Sequence, residues 1–162
     1  MALVDFFLKI DGIQGESQDK THKSEIEIES WSWGATQSGT AVRGGGMGAG
    51  KVQMQDFHLT MRVNKSSPKL MLACAQGEHI KNAILTCRKA GKDQQEYLKV
   101  TFSDLLVSSY QTGGTGAADI VPIDQISLNF SKVEIEYKEQ KADGTLGGAI
   151  KAHYDLKAMS GG

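Results

Sequence analysis

The chain has only two cysteines and two prolines among its 162 residues. Two cysteines are too few for the disulfide framework of a small secreted domain, so Cys74 and Cys87 are expected to be reduced and buried. The formal net charge is −1, which argues against nucleic acid as the main partner because phosphate binding needs a surplus of Lys and Arg. No apolar run is long enough to span a bilayer, so no membrane insertion is predicted.

The N-terminal residues lack the basic region, the long apolar core and the cleavage site of a secretory signal peptide. The chain is therefore predicted to fold in the cytoplasm. Its length fits one domain, 1–162, that can bury roughly 70% of its unfolded surface. Residues 158–162 are expected to fray.

Most of the chain alternates polar and apolar residues with a period of two, which predicts seven or eight strands. One short helix is predicted with Ser67 as its N-cap, Pro68 at the first helical position and Gly77 at its end. The fold class is mainly β: a small closed or nearly closed antiparallel β-barrel of two packed sheets, with one α-helix and a long Gly-rich loop.

Three strands change the face on which their apolar residues lie. A simple half-buried strand keeps its apolar residues in one parity, because alternate side chains point to opposite sides. A bulge or a sharp bend could cause the change, and so could a second subunit that covers the outer face. Because three strands show it, assembly is the favoured explanation. The opposed sets are Ile26 and Ile28 against Trp31 and Trp33; Val52 and Met54 against Phe57, Leu59 and Met61; and Ile126, Leu128 and Phe130 against Val133, Ile135 and Tyr137.

The Gly-rich loop from Gly39 to Lys51 contains part of a nucleotide-binding motif. Gly45, Gly50 and Lys51 fit its spacing, but Val52 stands where a hydroxyl should hold magnesium. The residues that follow alternate as in a strand, whereas a phosphate-binding loop opens a helix. No nucleotide or other cofactor is therefore predicted. A loop of this length inside a compact domain tends to be functional, and contact with a partner is the expected role.

No catalytic or metal site is predicted. The four histidines, His22, His58, His79 and His153, lack a second ligand at metal-binding spacing on a shared face. Asp56 and His58 lie two residues apart on one strand and could form half of a catalytic dyad, but no activated nucleophile accompanies them. A polar pair on one strand face is the better interpretation.

An acidic stripe is predicted on the second strand. Glu25, Glu27 and Glu29 share a parity, and three carboxylates on one strand face suit a solvated surface or one that meets Lys or Arg from a neighbour. The candidate counter-charges are Lys65, Lys69, Lys81, Arg88 and Lys89.

A set of motifs in a fixed order resembles the haemolysin-coregulated protein (Hcp) family over nearly the whole chain. The motifs are Phe7-Leu-Lys-Ile-Asp-Gly-Ile-Gln-Gly-Glu-Ser17, Asp19-Lys-Thr-His22, Trp31-Ser-Trp-Gly34, Gln37-Ser-Gly39, Gly44-Gly-Gly-Met-Gly-Ala-Gly-Lys-Val52, Asp56-Phe-His58, Lys65-Ser-Ser-Pro-Lys-Leu-Met-Leu-Ala-Cys-Ala-Gln-Gly-Glu-His79, Arg88-Lys-Ala-Gly91, Leu106-Val-Ser-Ser109 and Gln140-Lys-Ala-Asp-Gly144. The last five residues match least.

The resemblance implies a structural subunit of the type VI secretion inner tube. Such subunits assemble into six-membered rings that stack head to tail, inside a contractile sheath and beneath a VgrG spike. The tube is fired out of the bacterial cell and can carry small effectors in its lumen. The resemblance therefore implies a homohexamer that is secreted without a cleaved signal peptide.

Carried onto this sequence, the resemblance implies three groups of site residues. The ring-stacking or spike-contact loop comprises Gly39, Arg43, Gly44, Gly45, Gly46, Met47, Gly48, Gly50 and Lys51. The lumen-facing candidates are Ser32 and Thr115. The subunit interface comprises Trp31, Trp33, Phe57, Leu59, Val133, Ile135 and Tyr137.

Two alternatives stay open on the residues alone. One is a monomeric β-barrel that binds a small ligand, with the Gly-rich loop as its lid. The other is a hydrolase that uses Asp56 and His58.

Overall fold

Antiparallel strand pairing organises the chain in the computed structural model, which describes residues 4–38, 51–89, 94–117 and 121–162. The described elements are β1 (Val4–Ile10), β2 (Ile26–Glu27), β3 (Ser30–Gln37), β4 (Val52–Arg62), α1 (Ser67–Gln76), β5 (Ile80–Lys89), β6 (Glu96–Gly113), β7 (Ile123–Gln140), β8 (Leu146–Asp155) and β9 (Ser160–Gly161). The predicted fold class is confirmed: the molecule is mainly β, with one short helix and a sheet that is not fully closed.

The sheet curls until its two ends nearly meet. The strand order is β2-β1-β5-β6-β7-β4-β3, and β8 adds to the second half of β7. The sequence predicts one second strand, from Ser24 to Trp33, but the structure has two strands there, because the chain passes from one end of the sheet to the other between β2 and β3. Ile28 N–H donates to the Phe6 carbonyl at 3.1 Å, and Glu29 N–H donates to the Thr60 carbonyl at 2.8 Å. These bonds connect residues 28 and 29 to β1 and β4, and so hold the two ends of the sheet together at one level of the barrel.

Aromatic side chains fill the interior of the barrel. The ring of Phe102 lies 4.8 Å from that of Phe57 and 4.7 Å from that of Phe130, between ring centres. Trp33 meets Phe102 edge-on at 5.9 Å, and Trp31 lies 6.3 Å from Phe57. Centroid separations in this range are favourable for aromatic pairs, so the core is packed with rings.

A bulge explains the change of parity in β4. Ser32 pairs with His58 and Gly34 pairs with Gln55, so Trp33 faces two residues of β4 where a regular ladder would have one. The extra residue brings Met54 to the same side as the buried residues that follow it.

A bend in β6 and β7 explains the change of parity in β7 as far as Val133. Phe102 pairs with Val133, and Leu105 pairs with Phe130. All four side chains are buried, although the two pairs are an odd number of residues apart and would lie on opposite faces of a flat sheet. Asp104, between them in β6, has a left-handed backbone with φ +50°. The two strands therefore bend together and keep their register.

Helix α1 begins one residue earlier than predicted. Ser66 is the N-cap and makes no side-chain capping bond, while Pro68 lies in the first turn and Gly77 ends the helix with φ +61°. The Ser67 hydroxyl was predicted to cap the helix, but it donates to Asp124 at 2.6 Å. Leu70 and Ala73 face the core, and the helix packs on β6.

The C-terminus is paired in this structure, so the prediction that residues 158–162 fray is wrong. The chain turns back after β8, and β9 pairs with it. His153 N–H donates to the Gly162 carbonyl at 2.9 Å, and Gly162 N–H donates back to the His153 carbonyl at 3.0 Å. Within the described ranges, no helix is both long and apolar enough to cross a membrane.

Candidate assembly surfaces

Four adjacent strands present a polar outer face. Two rows of paired residues cross β3, β4, β7 and β6 on this side: Ser32, His58, Ser127 and Ser109 in one row, and Ser30, Thr60, Gln125 and Gln111 in the other. The other side of the same strands carries Trp31, Leu59, Ile126 and Tyr110, which pack on the core. This face presents hydroxyls, amides and one imidazole at the eight positions of the two rows, and the Asp56 carboxylate borders them, because Asp56 has the same parity as His58 on β4. We call it the polar face.

Hydrogen bonds between strands order the polar face. The hydroxyls of Ser30 and Thr60 lie 2.5 Å apart, and the Ser127 hydroxyl contacts Ser109 at 2.5 Å. Ser32 is exposed beside His58 and lines a shallow groove of about 490 Å³. Ser32, one of the two predicted lumen residues, therefore lies on the polar face. Thr115 is exposed beyond the end of β6.

Asp56 and His58 do not form a dyad in this structure. The Asp56 carboxylate accepts a hydrogen bond from the Ser108 hydroxyl at 2.6 Å and another from the Asn129 amide at 2.9 Å. Both of its oxygens are therefore engaged with donors other than the imidazole. Among the described residues, no group of three His, Cys, Asp or Glu side chains is placed to hold a metal ion.

The polar face is flanked by two open strand edges. β3 pairs with β4 on one side, and no described strand pairs with its other side. β6 pairs with β5 only up to Leu105, so residues 106–113 have a described strand partner on the β7 side alone. Unpaired backbone donors and acceptors at a sheet edge form a template for pairing with another strand. The two edges lie at opposite sides of the same four strands.

An exposed apolar strip lies on β7 and β8. Tyr137 pairs with Ile150. The exposed fractions are 45% for Tyr137, 69% for Ile150 and 36% for Ile135. The strip faces the same way as Val133 and Tyr154, which pack on the core. It therefore extends the apolar interior onto the surface.

Three residues predicted at the subunit interface are buried within the protomer itself. Phe57, Leu59 and Val133 are 0%, 3% and 4% exposed, so they offer no surface to a second subunit and the prediction is wrong for them. The bulge and the bend turn these side chains inward. Trp31 and Trp33 are half-buried against the core. Only Ile135 and Tyr137 of the predicted set are exposed.

The predicted stacking loop lies almost wholly outside the described residues. Gly39, Arg43, Gly44, Gly45, Gly46, Met47, Gly48 and Gly50 fall there, and Lys51, which is described, is exposed. Gln37 pairs with Val52. The loop therefore leaves and rejoins the barrel at the same end of the β3–β4 pair.

A buried charge cluster, which the sequence analysis missed, fastens the segment between β1 and β2. The Arg88 guanidinium donates twice to Asp19, at 2.9 Å each, and once to Asp5 at 3.1 Å. It also lies over the ring of Phe7 at 4.8 Å. The hydrogen bonds from Arg88 hold the pKa of Asp19 far below its ordinary value, and Asp19 in turn raises the pKa of Arg88. We call Asp5, Asp19 and Arg88 the ion cluster.

His22 adds a second fastening beside the ion cluster. It stacks on Phe7 at 4.5 Å, and its two ring nitrogens lie 2.9 Å from Glu25 and 2.5 Å from Glu96. Glu25 was predicted to belong to a solvated stripe, but its carboxylate is largely buried against His22. The backbone N–H groups of Thr21 and His22 both donate to the Asp19 carboxylate, which forms a turn. An Asp two or three residues before such a polar segment is the sequence signal that could have revealed this arrangement.

Comparison with known proteins decides the family. The model described as "Type VI secretion system effector, Hcp" matches residues 7–137, which is most of the chain. The chain belongs to the Hcp family. This confirms the resemblance inferred from the sequence motifs.

Individual relatives agree with the Hcp assignment along the full length. The chain is 48% identical over 156 residues to protein hcp1 of Pseudomonas aeruginosa, covering 95% of this chain and 96% of that protein. The crystal structure of Hcp1 from Salmonella typhimurium superposes with a TM-score of 0.82 at 38% identity and covers 99% of each chain. A structure described as a type six secretion system protein gives a TM-score of 0.90 at 31% identity, covering 98% of this chain and 99% of that one.

Proposed function

We propose that this Hcp chain is a structural subunit of the type VI secretion inner tube that assembles laterally into closed six-membered rings. The observation that carries the proposal is the pair of open edges on either side of the polar face. Pairing the free side of β3 with residues 106–113 of β6 in the next protomer joins unlike surfaces. Such a heterologous contact generates a ring when its rotation closes. Six is the ring size that the Hcp family implies.

The polar face lines the lumen in this proposal, with Ser32 facing the channel. Each protomer adds four strands, so repeated edge pairing makes one continuous sheet around the ring. A lining of hydroxyls, amides and one imidazole binds by hydrogen bonds, and the Asp56 carboxylate beside it accepts hydrogen bonds from Ser108 and Asn129. This lining suits small effectors that present hydrogen-bonding groups. The comparisons give the alternative of a monomeric ligand-binding barrel no support, and aromatic rings fill the interior that its ligand would need.

The apolar strip is the hydrophobic part of the lateral contact. Ile135 and Tyr137 stay exposed in the protomer, and aromatic residues are enriched at the centres of protein interfaces. The loop around Gly48 contacts the next ring or the VgrG spike, and the sheath surrounds the stacked rings. The chain is made in the cytoplasm and leaves the cell with the tube.

Native mass spectrometry with negative-stain images of the same sample tests ring formation. We expect one species at six times the protomer mass, seen as rings with an open centre. A protomer that stays single when concentrated would refute the proposal.

A variant of the apolar strip tests the lateral contact. Tyr137→Glu is expected to release folded protomers, because the side chain is 45% exposed before assembly and a charge inside an interface is costly. Lys151→Glu is the matched control: it also adds negative charge to this part of the sheet, but on the other side of β8. Rings that persist in Tyr137→Glu would remove the strip from the interface.

Gly48→Asp tests the loop. It adds a charge and removes the conformational freedom of glycine, so it is expected to weaken ring stacking and leave single rings intact. Normal stacking by this variant would refute the loop assignment.

A further inference from the structure

Two β-bulges lie on either side of β7 on the polar face. In β4 the bulge lies at Asp56, where two residues of β4 face Trp33 of β3. In β6 it lies between Val107 and Ser109, where Ser108 has no partner of its own in β7. Both strands pair with β7, one on each side. Bulges re-aim side chains and are over-represented beside functional sites, so the residues that these two bulges bring together are of interest.

The two bulged residues meet across β7. The Ser108 hydroxyl donates to one oxygen of the Asp56 carboxylate at 2.6 Å, and the Asn129 amide donates to the other oxygen at 2.9 Å. The Ser127 hydroxyl lies 2.7 Å from that of Ser108 and continues the chain of hydrogen bonds. A carboxylate has about four lone-pair sites. The Asp56 carboxylate is therefore held in one orientation, and its two bonds leave room for a ligand.

Asp56 carries the isolated charge of this face. The four strand segments that form the face are 30–37, 52–61, 106–113 and 123–130. Apart from Asp56, the only Asp, Glu, Lys or Arg in these segments is Asp124, which is 0% exposed. None of the ion pairs among the described residues includes Asp56. The centre of the polar face therefore presents a negative charge that no described cation neutralises.

The partners of Asp56 determine which ligand gains most from it. Asp19 is neutralised by the guanidinium of Arg88, whereas Asp56 is held by a hydroxyl and an amide, which are neutral. A hydrogen bond between a carboxylate and a cationic donor is roughly twice as strong as one between neutral groups. A ligand with an ammonium or guanidinium group therefore gains more from Asp56 than a neutral ligand does.

We propose that Asp56 is the residue that determines cargo specificity in the lumen, and that it selects polypeptides which present Lys or Arg side chains. The inference rests on the proposed function, because the ring places one Asp56 of each protomer around the channel. Six carboxylates then attract a cationic cargo from several sides and repel an anionic one. The surrounding hydroxyls and amides hold the rest of the cargo by hydrogen bonds.

Short charged peptides test the selection. Labelled tetralysine and tetraglutamate are titrated with purified rings, and binding is read by fluorescence anisotropy. Asp56→Asn keeps the shape of the side chain and removes its charge, so the affinity for tetralysine is expected to fall at least about tenfold. The affinity for tetraglutamate is expected not to fall.

Asp143→Asn is the matched control for the peptide titration. Its carboxylate also accepts two hydrogen bonds, both from Thr145, but it lies in the turn between β7 and β8. The control is expected to bind tetralysine as the wild type does. Equal affinities for tetralysine in the wild type, Asp56→Asn and Asp143→Asn would overturn the proposal.

A photoreactive tetralysine locates the binding site. Cross-links, mapped by peptide mass, are expected within 106–113 or 123–130 and are expected to disappear in Asp56→Asn. Binding also falls as salt rises, because exposed charges are screened over about a Debye length. Cross-links confined to the acidic residues Glu27 and Glu29, outside the polar face, would overturn the assignment.

Native mass of the same samples separates this inference from the proposed function. Asp56→Asn is expected to keep the ring mass, because an amide oxygen still accepts the Ser108 hydroxyl. Rings whose tetralysine binding does not depend on Asp56 overturn the inference and leave the proposed function standing. A wild-type chain that stays single refutes the proposed function, and the inference falls with it because it needs six carboxylates around one channel.

Discussion

Replacing Arg88 with Met should destabilise the protomer by about 2 kcal/mol. Breaking a buried ion pair by removing one partner costs about 3–5 kcal/mol. The Arg88 side chain is 5% exposed, but those of Asp19 and Asp5 are 18% and 36% exposed and keep part of their hydration. The cost is accordingly below that range. For a chain of this size it corresponds to a fall of about 4–8 °C in Tm.

Urea unfolding at a fixed protomer concentration measures the effect, because assembly would otherwise change the apparent stability. Arg62→Met is the matched control. Its ion pair with Glu29 is exposed on both sides, so a loss of no more than about 0.5 kcal/mol is expected. Equal losses in the two variants would refute the argument from burial.

The same variant has a signature in acid. The pKa of Asp19 is lowered in the folded state, so its stabilising effect is present above the ordinary Asp value of about 3.9 and is lost as pH falls below it. The wild type should therefore lose more stability between pH 5 and pH 2 than Arg88→Met. Asp143 and Asp155 also have lowered pKa values, but they are present in both proteins and cancel in the difference. Parallel acid profiles would contradict the assignment of the pKa shift to Arg88.

Three further outcomes are expected. Phe102→Ala should cost about 3–5 kcal/mol in urea unfolding, because it empties the centre of the aromatic core, and a loss below 1 kcal/mol would contradict that packing. A thiol reagent at pH 8 should label Cys74 but not Cys87 in the folded chain, as read by intact mass, because Cys87 is buried and burial raises its pKa to about 12. Gly161→Val should increase hydrogen exchange at the His153 amide at least tenfold, because a Cβ at Gly161 would lie 2.2 Å from the His153 carbonyl oxygen. Retained protection of that amide would show that the C-terminal pairing survives the substitution.

The sequence predicts the elements whose signal is local. Alternating residues indicate most of the strands, and Pro68 with Gly77 marks the helix, because these preferences act within a few residues. The cap was misplaced by one residue because the partner of the Ser67 hydroxyl is Asp124, which is distant in sequence. No local pattern distinguishes Ser66 from Ser67 at that position.

The sequence alone does not determine the cause of the change of parity. The same pattern fits a bulge, a bend or a covered outer face, and only the pairing partner decides between them. The bulge in β4 lies opposite Trp33, and the left-handed backbone of Asp104 lies at the bend in β6 and β7. Phe57 and Leu59 were therefore placed at an interface although they belong to the core. The ion cluster was missed for a similar reason, because Asp19 and Arg88 are 69 residues apart.

Closure of the barrel between Phe6, Ile28 and Thr60 has a consequence for folding. The hydrogen bonds of residues 28 and 29 join strands that lie far apart in the sequence, and such non-local contacts form slowly because a long loop must close first. On the ribosome, the N-terminal strands emerge before β4 exists. In the sheet, β1 and β4 are connected only through β5, β6 and β7, so the barrel cannot close until β7 has been made. The barrel is therefore a late product of synthesis.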